Sequence, residues 1–254
     1  MAASQNPQDI PARDLPSAQG RTPQDKLIVA LDFPSAEKAL AFVSKLEGLC
    51  RWFKVGLELY LSAGNAIVEQ LRQQGFSVFL DLKLHDIPNT VAGAVRSVSA
   101  LGADLLTVHA SGGPAMLQAA AEAVASQPHA PRLLAVTVLT SMDAAQLSAT
   151  GISTSPAEQA LRLAKAAHSA GILGLVCSPE EAARMRRELP GSILVTPGIR
   201  PAGADIGDQK RIATPSAALA AGADYLVVGR PITQSPDPAA TASAILAEIS
   251  TALA

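Results

Sequence analysis

The sequence predicts a single α/β domain folded as a (β/α)8 TIM barrel with an eight-stranded parallel sheet. Two observations carry this prediction. The chain has 254 residues, close to the roughly 250 that such a barrel needs. Short β-branched apolar runs alternate with longer Ala-, Glu-, Lys- and Arg-rich stretches along the chain. This alternation favours parallel strands joined by right-handed helical crossovers.

Eight apolar runs are the predicted strands, and most are continuously apolar, as buried parallel strands are. They are LIVALDF (27–33), FKVGLEL (53–59), SVFLDLK (77–83), DLLTVHA (104–110), LLAVTVLT (133–140), GLVCS (174–178), ILVTPGI (193–199) and YLVVGR (225–230). An open doubly wound sheet is the alternative. No GxGxxG follows the first strand, so a closed barrel is favoured.

Glycines lie at the junctions between helical patterns and the predicted strands that follow them. Gly75, Gly102, Gly171 and Gly222 each follow a helical pattern and precede a predicted strand. A helix C-terminus favours a left-handed residue at this point, and glycine adopts that conformation without steric cost. The fragments LGADLLTV and AGADYLVV use one such joint twice.

The composition excludes several classes of protein. Hydrophobic residues make up 48% of the chain and charged residues 17%, which predicts a large buried core. The net charge of −2 argues against nucleic acid as a partner. Two cysteines are too few for a disulfide scaffold, and no apolar run reaches the roughly 18 residues of a membrane span. We expect a cytoplasmic protein with no membrane partner.

The first 25 residues differ from the rest of the chain. They are polar, contain four prolines and lack the apolar core of a secretory signal. We expect a disordered polar tail over residues 1–25 and the barrel domain over residues 26–254.

Polar residues concentrate at the predicted carboxyl ends of the strands, where barrels of this kind carry their chemistry. They are Asp32, Lys54, Asp81, Lys83, His109, Thr140, Arg200 and Arg230. A charge inside an apolar strand is costly unless it is paired or faces a wet pocket. These positions therefore predict a polar site at the mouth of the barrel.

The densest cluster is DLKLHDIPNT (81–90). Asp81 and Lys83 stand two apart on a strand, so we expect both on one face, with Lys54 inward on the neighbouring strand and Asp86 just beyond. A buried Asp–Lys pair that merely closes the barrel is the structural alternative. Several charges of both signs exceed what stability needs, because buried pairs rarely stabilise on balance.

Two further segments predict an anion site. VTPGIRP (195–201) and VVGRPIT (227–233) follow the seventh and eighth strands, where this fold often binds phosphate. Gly229 lets backbone N–H groups approach an anion, and Arg230 supplies a fork of donors. The stretch PAGADIGDQKR after Arg200 has the composition of a mobile lid that could bring Gln209 over a phosphate. Ordinary turns are the alternative.

Taken together, these motifs closely resemble the orotidine 5′-phosphate decarboxylase family. The resemblance rests on DLKLHDIPNTV, an aspartate ending the first strand, Lys54, TPGIRP and VVGRPIT, and it spans residues 26–254. It implies a homodimeric barrel enzyme that converts orotidine 5′-phosphate to UMP and CO2, the last step of de novo pyrimidine synthesis. It also implies that neither a metal nor an organic cofactor is needed.

The resemblance assigns roles to individual positions. Lys83 would be the catalytic proton donor, in an alternating charge array with Lys54, Asp81 and Asp86 of the partner subunit. The remaining implied substrate-binding residues are Asp32 and Lys54 at the ribose with Thr90 of the partner subunit nearby, Ile87, Thr140 at the pyrimidine, and Arg200, Gln209, Gly229 and Arg230 at the phosphate.

Two rival functions stay open at this point. A metal-dependent sugar-phosphate decarboxylase or isomerase of the wider suprafamily would carry an acidic residue at the position of Lys54, and a lysine there would repel the metal. A non-catalytic phosphosugar-binding barrel would bind a nucleotide tightly without turnover.

Overall fold

The computed structural model describes residues 22–127, 129–202 and 211–254. Eight strands form a closed barrel in chain order, and every neighbouring pair is parallel, which confirms the predicted barrel. The strands are β1 (Leu27–Ala30), β2 (Trp52–Gly56), β3 (Ser77–Leu84), β4 (Leu105–His109), β5 (Arg132–Val136), β6 (Gly174–Val176), β7 (Ile193–Thr196) and β8 (Tyr225–Val228).

Helices surround the strands. They are α1 (Pro23–Lys26), α2 (Ala36–Val43), α3 (Leu57–Ala63), α4 (Asn65–Gln73), α5 (Pro88–Ser99), α6 (Gly113–Ala125), α7 (Ala144–Ala149), α8 (Pro156–Ser169), α9 (Pro179–Glu188), α10 (Pro215–Ala220), α11 (Arg230–Thr233) and α12 (Pro238–Leu253), with short 3-10 helices at Ser44–Leu46 and Ala110–Gly112. Within the described ranges, none of these helices combines the length and the apolar character that crossing a membrane requires.

Several strands end earlier than the apolar runs predict. The run 53–59 stops being a strand at Gly56, and α3 begins at Leu57. The run 133–140 leaves the sheet after Val136, although Val138 is still buried. Apolar character continues past these strands because later residues, such as Leu59 in α3 and Val138 in the loop after β5, also pack on the core. Hydrophobicity alone therefore overestimates strand length.

The chain is ordered around the barrel before the predicted start of the domain at residue 26. Asp25 in α1 is buried, accepts a hydrogen bond from the Thr22 N–H at 2.9 Å, and pairs with Arg51 at 2.9 Å. Residues 22–25 of the predicted tail over 1–25 thus belong to α1 and its N-terminus, whereas residues 1–21 lie outside the described residues. The disorder of residues 1–21 stays a prediction.

The glycine joints are confirmed. Gly75, Gly102, Gly171 and Gly222 all have positive φ, and φ reaches +100° at Gly222. A side chain at Gly222 would also meet the Cβ and Cγ atoms of Arg186 at 3.1 Å. The joint therefore requires glycine for both its backbone conformation and its close packing.

The core has two parts. The outer part lies between the strands and the helices. The inner part, which we name the barrel floor, fills the barrel and consists of Ile28, Ala30, Trp52, Phe79, Leu105, Leu134, Val195, Tyr225 and Val227. Two residues further along the second, third and fourth strands, the inward positions turn polar at Lys54, Asp81 and Thr107. The apolar floor thus supports a polar mouth at the carboxyl ends of the strands.

Candidate active site

A cavity of about 650 Å³ opens at this mouth. Its volume suits a ligand of nucleotide size, since small-molecule sites span roughly 300–1,000 Å³. The structure places eight of the predicted site residues in its lining, and these are Asp32, Lys54, Asp81, Lys83, Thr140, Arg200, Gly229 and Arg230.

Four of these side chains form a continuous line of alternating charge, which we name the charge array: Asp32, Lys54, Asp81 and Lys83. The Lys83 Nζ lies 2.9 Å from both carboxylate oxygens of Asp81. The Lys54 Nζ lies 3.6 Å from Asp81 Oδ2 and 3.2 Å from Asp32 Oδ1. Each lysine ammonium is paired with a carboxylate, so two cations can line the same cavity without an unpaired charge between them.

Asp81 is the centre of the array. Burial of its carboxyl group would raise its pKa, but the charges of Lys54 and Lys83 and hydrogen bonds from Lys83 and Thr107 outweigh burial and lower the pKa below its ordinary value. Asp81 is therefore an anion at neutral pH, paired with the ammonium groups of both lysines.

The backbone at Lys83 is irregular. Among the described non-glycine residues only Lys83 has a positive φ, at 50°. The register of β3 on β4 shifts between Leu80, which faces Leu106, and Leu84, which faces Val108. Asp81 and Lys83 do meet, as predicted, but through this irregularity rather than through regular strand alternation. Left-handed backbone at a side-chain-bearing residue is characteristic of functional sites.

Thr107 ties this irregular segment together, and the sequence analysis missed it. Its hydroxyl is fully buried, accepts the Lys83 N–H at 2.8 Å and donates to Asp81 Oδ1 at 3.0 Å. Its only signal in the sequence is a hydroxyl inside the apolar run LLTVH.

Gly56 is a second residue that the sequence analysis missed. A Cβ atom at Gly56 would lie 2.9 Å from the Lys54 Nζ and 3.5 Å from Asp32 Oδ1. The absence of a side chain thus leaves room for the lysine ammonium. A glycine inside a strand is a known signal of such close approach.

The opposite side of the cavity is built from loops. Gly229 precedes α11, which begins at Arg230, and Thr140 lies in the loop after β5. Arg200 is buried, its N–H donates to the Ala213 carbonyl at 2.9 Å, and its guanidinium donates to the Ile199 carbonyl at 2.9 Å. The guanidinium groups of Arg200 and Arg230, both in the cavity lining, are donors that suit an anion.

Arg211 links these loops and was also missed. Its buried guanidinium donates to the carbonyls of Val138 at 3.2 Å and Leu139 at 2.9 Å, to the Ser178 hydroxyl at 3.2 Å, and to the Glu181 carboxylate. The loop after β5 is thereby fixed to the start of α9. In the sequence, Arg211 stands within the predicted lid and its partners lie at least 30 residues away.

Comparison with known proteins agrees with these motifs. The family described as "Orotidine 5′-phosphate decarboxylase / HUMPS family" matches residues 25–245. The chain belongs to this family. The resemblance noted from the motifs is thus confirmed, and so, at the level of the family, is the prediction of a carboxy-lyase.

Individual relatives of the family cover nearly the whole chain. The orotidine 5′-phosphate decarboxylase of Halorhodospira halophila is 57% identical over 229 residues, which are 89% of this chain and 97% of the relative. That of Hydrogenovibrio crunogenus is 52% identical over 91% of this chain and 98% of its own length. The crystal structure of the Lactobacillus acidophilus orotidine 5′-phosphate decarboxylase superposes with a TM-score of 0.78 at 41% identity, covering 88% of this chain and 98% of that chain.

Three predicted site residues do not line the cavity of their own chain, and a fourth lies outside the described residues. Asp86, Ile87 and Thr90 are exposed and absent from its lining, and Asp86 Oδ1 accepts the Ile87 N–H at 2.6 Å. Gln209 lies outside the described residues. The roles that the family resemblance implies for these four residues stay predictions.

His109 does not line the cavity either. Its ring stacks on that of His85 with 5.3 Å between the centroids, and its Nδ1 lies 2.7 Å from the Ser111 hydroxyl. Burial and the nearby charges of His85 and Lys83 lower its pKa, so the ring is neutral at physiological pH. We interpret His109 as a neutral structural residue that packs on His85 outside the cavity lining.

Proposed function

We propose that this protein decarboxylates orotidine 5′-phosphate to UMP and CO2 without a metal or an organic cofactor, as the last step of de novo pyrimidine synthesis. The observation that carries the proposal is the charge array, Asp32–Lys54–Asp81–Lys83, at the base of a nucleotide-sized cavity. Membership of the family and the names of its relatives support the choice of substrate.

The chemistry requires such an array. When the bond between C6 and the carboxylate breaks, CO2 leaves and the electron pair stays on C6 in the plane of the pyrimidine ring, where the π system does not delocalise it. Fixed charges must therefore stabilise the developing anion. In this proposal the Lys83 ammonium faces C6, stabilises the electron pair and then transfers its proton to it. The neutral lysine regains a proton from solvent.

Asp81 has a second part in the proposal. It holds both lysines, and its own negative charge stands where the substrate carboxylate would approach Lys83. Two unit charges about 4 Å apart interact by about 4 kcal/mol at an effective dielectric constant of about 20. Enzymes lower barriers by roughly 8–23 kcal/mol. Repulsion of the carboxylate by Asp81 is thus too small to act alone, and stabilisation of the anion by the lysines must supply most of the effect.

Binding energy far from C6 completes the proposed mechanism. Arg200, Gly229 and Arg230, together with Gln209, would bind the phosphate, while Asp32 and Lys54 would bind the ribose hydroxyls and Thr140 the pyrimidine. Interactions with a non-reacting phosphate can be used to organise the reacting centre. The distribution of charges around the cavity supports this division, because Arg200 and Arg230 come from the segments after β7 and β8, whereas the charge array lies on and just after β1–β3.

The decisive experiment measures UMP formation from orotidine 5′-phosphate by the purified protein in excess EDTA. We expect full turnover, seen as loss of the substrate's absorbance and appearance of UMP by chromatography. Turnover that stops with EDTA and returns with Mg²⁺ would instead indicate the metal-dependent alternative. The Lys54 ammonium lies between the carboxylates of Asp32 and Asp81, which argues against a metal ion bound by these two groups. Binding without turnover would indicate a non-catalytic barrel.

We further propose a homodimer in which Asp86 and Thr90 of the partner subunit complete each site. Large apolar side chains near this segment support a covered surface, since Ile87, Leu57 and Leu61 are 67%, 49% and 80% exposed. Leu57 and Leu61 lie on α3, which follows the strand adjacent to β3.

Mixing two inactive variants tests the shared site. Subunits carrying Lys83→Ala exchanged with subunits carrying Asp86→Ala should regain about a quarter of the sites, because each random heterodimer contains one unmutated site. Mixtures that remain inactive after exchange, verified by mass spectrometry of the native dimer, would contradict the contribution of Asp86 across the interface.

A further inference from the structure

We propose that Thr107 is a positioning residue that sets Lys83 and Asp81 in their working geometry, an inference that rests on the proposed function. Its single hydroxyl contacts both groups, and Thr107 does not line the cavity. Thr107 lies on β4 and is completely buried.

The two hydrogen bonds of Thr107 have separate consequences. As an acceptor, the hydroxyl receives the backbone N–H of Lys83 at 2.8 Å. As a donor, it reaches Asp81 Oδ1 at 3.0 Å. The same Oδ1 also receives the Lys83 ammonium at 2.9 Å. Thr107 therefore fixes both ends of the contact between the lysine and the aspartate, one through the backbone and one through the carboxylate.

The backbone bond matters because Lys83 has a left-handed conformation. The register between β3 and β4 shifts from Leu80 to Leu84, so the regular strand ladder is interrupted in this stretch. A buried N–H without a partner is costly, and left-handed backbone at a lysine persists only when its surroundings impose it. The Thr107 hydroxyl replaces the missing ladder acceptor at the residue where the chain leaves regular geometry.

The carboxylate bond matters because Asp81 serves two cations. Lys54 lies 3.6 Å from Oδ2, while Lys83 bonds to both oxygens. Rotation of the carboxyl group would change both distances at once. The Thr107 hydroxyl, bonded to Oδ1, restrains that rotation.

The test compares Thr107→Val with Thr107→Ser. Valine keeps the shape of the side chain and removes both hydrogen bonds, whereas serine keeps the hydroxyl. We expect Thr107→Val to lower kcat about 10- to 100-fold with KM changed less than about threefold, because a displacement of about 1 Å of a catalytic group costs that much in rate. Thr107→Ser should recover most of kcat.

Thr137→Val is the matched control. Thr137 is also a buried threonine, and its hydroxyl donates to the Val176 carbonyl at 2.9 Å, away from the charge array. The same change there should leave kcat within about twofold of the unmodified enzyme while also lowering the melting temperature, since it too removes a buried hydroxyl that is hydrogen-bonded. Equal kcat in both valine variants would overturn the inference. So would a serine variant as slow as the valine variant.

A structural readout separates this inference from the proposed function. Should the unmodified protein fail to turn over orotidine 5′-phosphate, the proposed function falls, and a crystal structure of Thr107→Val still decides the inference. We expect Lys83 to leave positive φ, or its Nζ to move from Asp81. Lys83 unchanged in φ and still 2.9 Å from Asp81, as now, would overturn it.

Discussion

The two halves of the barrel build the cavity in different ways. In the half formed by β1–β4, Lys54, Asp81 and Lys83 stand on the strands themselves and are bonded to one another. In the half formed by β5–β8, the inward strand positions Leu134 and Val195 are apolar. There the polar lining comes instead from the loops that follow the strands.

This difference matches the demands of the two proposed tasks. Proton transfer and charge stabilisation need geometry fixed to a fraction of an ångström, and strands paired on both sides supply that rigidity. Recognition of a phosphate tolerates loops, because several donors share the charge and a loop can move to admit the ligand. The experiments below test whether chemistry resides in the strand half and binding in the loop half.

The largest effect is expected at Lys83. Lys83→Ala removes the proposed proton donor and a cation of the array, so kcat should fall by at least about 10⁴-fold. Affinity for UMP, measured by calorimetry, should change little because the proposed phosphate-binding half is intact. Lys165→Ala is the control, since this exposed lysine pairs with Glu188 on the surface at 2.9 Å and does not line the cavity. A Lys83→Ala variant with near-normal turnover would contradict the division between the halves.

Arg211 offers the second largest effect, on stability. Arg211→Met leaves the Glu181 carboxylate, which is 2% exposed, without its cation. Breaking a buried pair costs about 3–5 kcal/mol of unfolding free energy. Urea titration at pH 7.5 measures this loss, and the double variant Arg211→Met with Glu181→Leu should recover much of it.

The loss of unfolding free energy in Arg211→Met should also depend on pH. Burial raises the pKa of Glu181, while Arg211 and Ser178 lower it, and the net pKa lies above its ordinary value. A carboxyl group with a raised folded-state pKa favours folding at low pH, and this contribution is lost as pH rises through that pKa. Removing Arg211 raises the pKa further. The destabilisation should therefore shrink from pH 7.5 to pH 5, and an equal loss at both would contradict this account.

Arg230 tests the loop half directly. Arg230→Ala removes a fork of donors from the proposed phosphate site, and a hydrogen bond to a charged group contributes about 1.5–3 kcal/mol. We expect KM to rise roughly 10- to 150-fold with a smaller change in kcat. Arg230→Lys keeps the charge without the fork of donors, so its KM should lie between those of the unmodified protein and Arg230→Ala. A loss confined to kcat would indicate that Arg230 acts in the chemical step rather than in phosphate binding.

Most of the fold and the members of the array follow from local sequence signals. The strands are apolar runs, and polar residues lie in them or just after them, so hydrophobic pattern and strand polarity together predicted the barrel and brought Asp32, Lys54, Asp81 and Lys83 to one mouth. This works because the signal for each of these residues lies in its own strand or just beyond it.

The missed features depend on pairs of elements. The left-handed backbone at Lys83 arises from the register of β3 on β4, which no property of DLKLHD specifies. Thr107 is indistinguishable in sequence from a threonine that packs well in a strand. Arg211 meets partners from two other loops. Residues whose role is set by a neighbouring element are the ones that single-strand patterns do not predict.

The smallest effect is expected at Gly56, and it tests how strictly the strand half holds its geometry. Gly56→Ala places a Cβ atom 2.9 Å from the Lys54 Nζ. The ammonium ends a flexible side chain, so it should shift away from Asp32 and Asp81 rather than unfold the strand. We expect kcat to fall about tenfold with little change in melting temperature. The control is Gly191→Ala, where a Cβ atom meets nothing within 4 Å. If Gly56→Ala turns over as fast as that control, the array tolerates displacement and rigid strands are not what the chemistry requires.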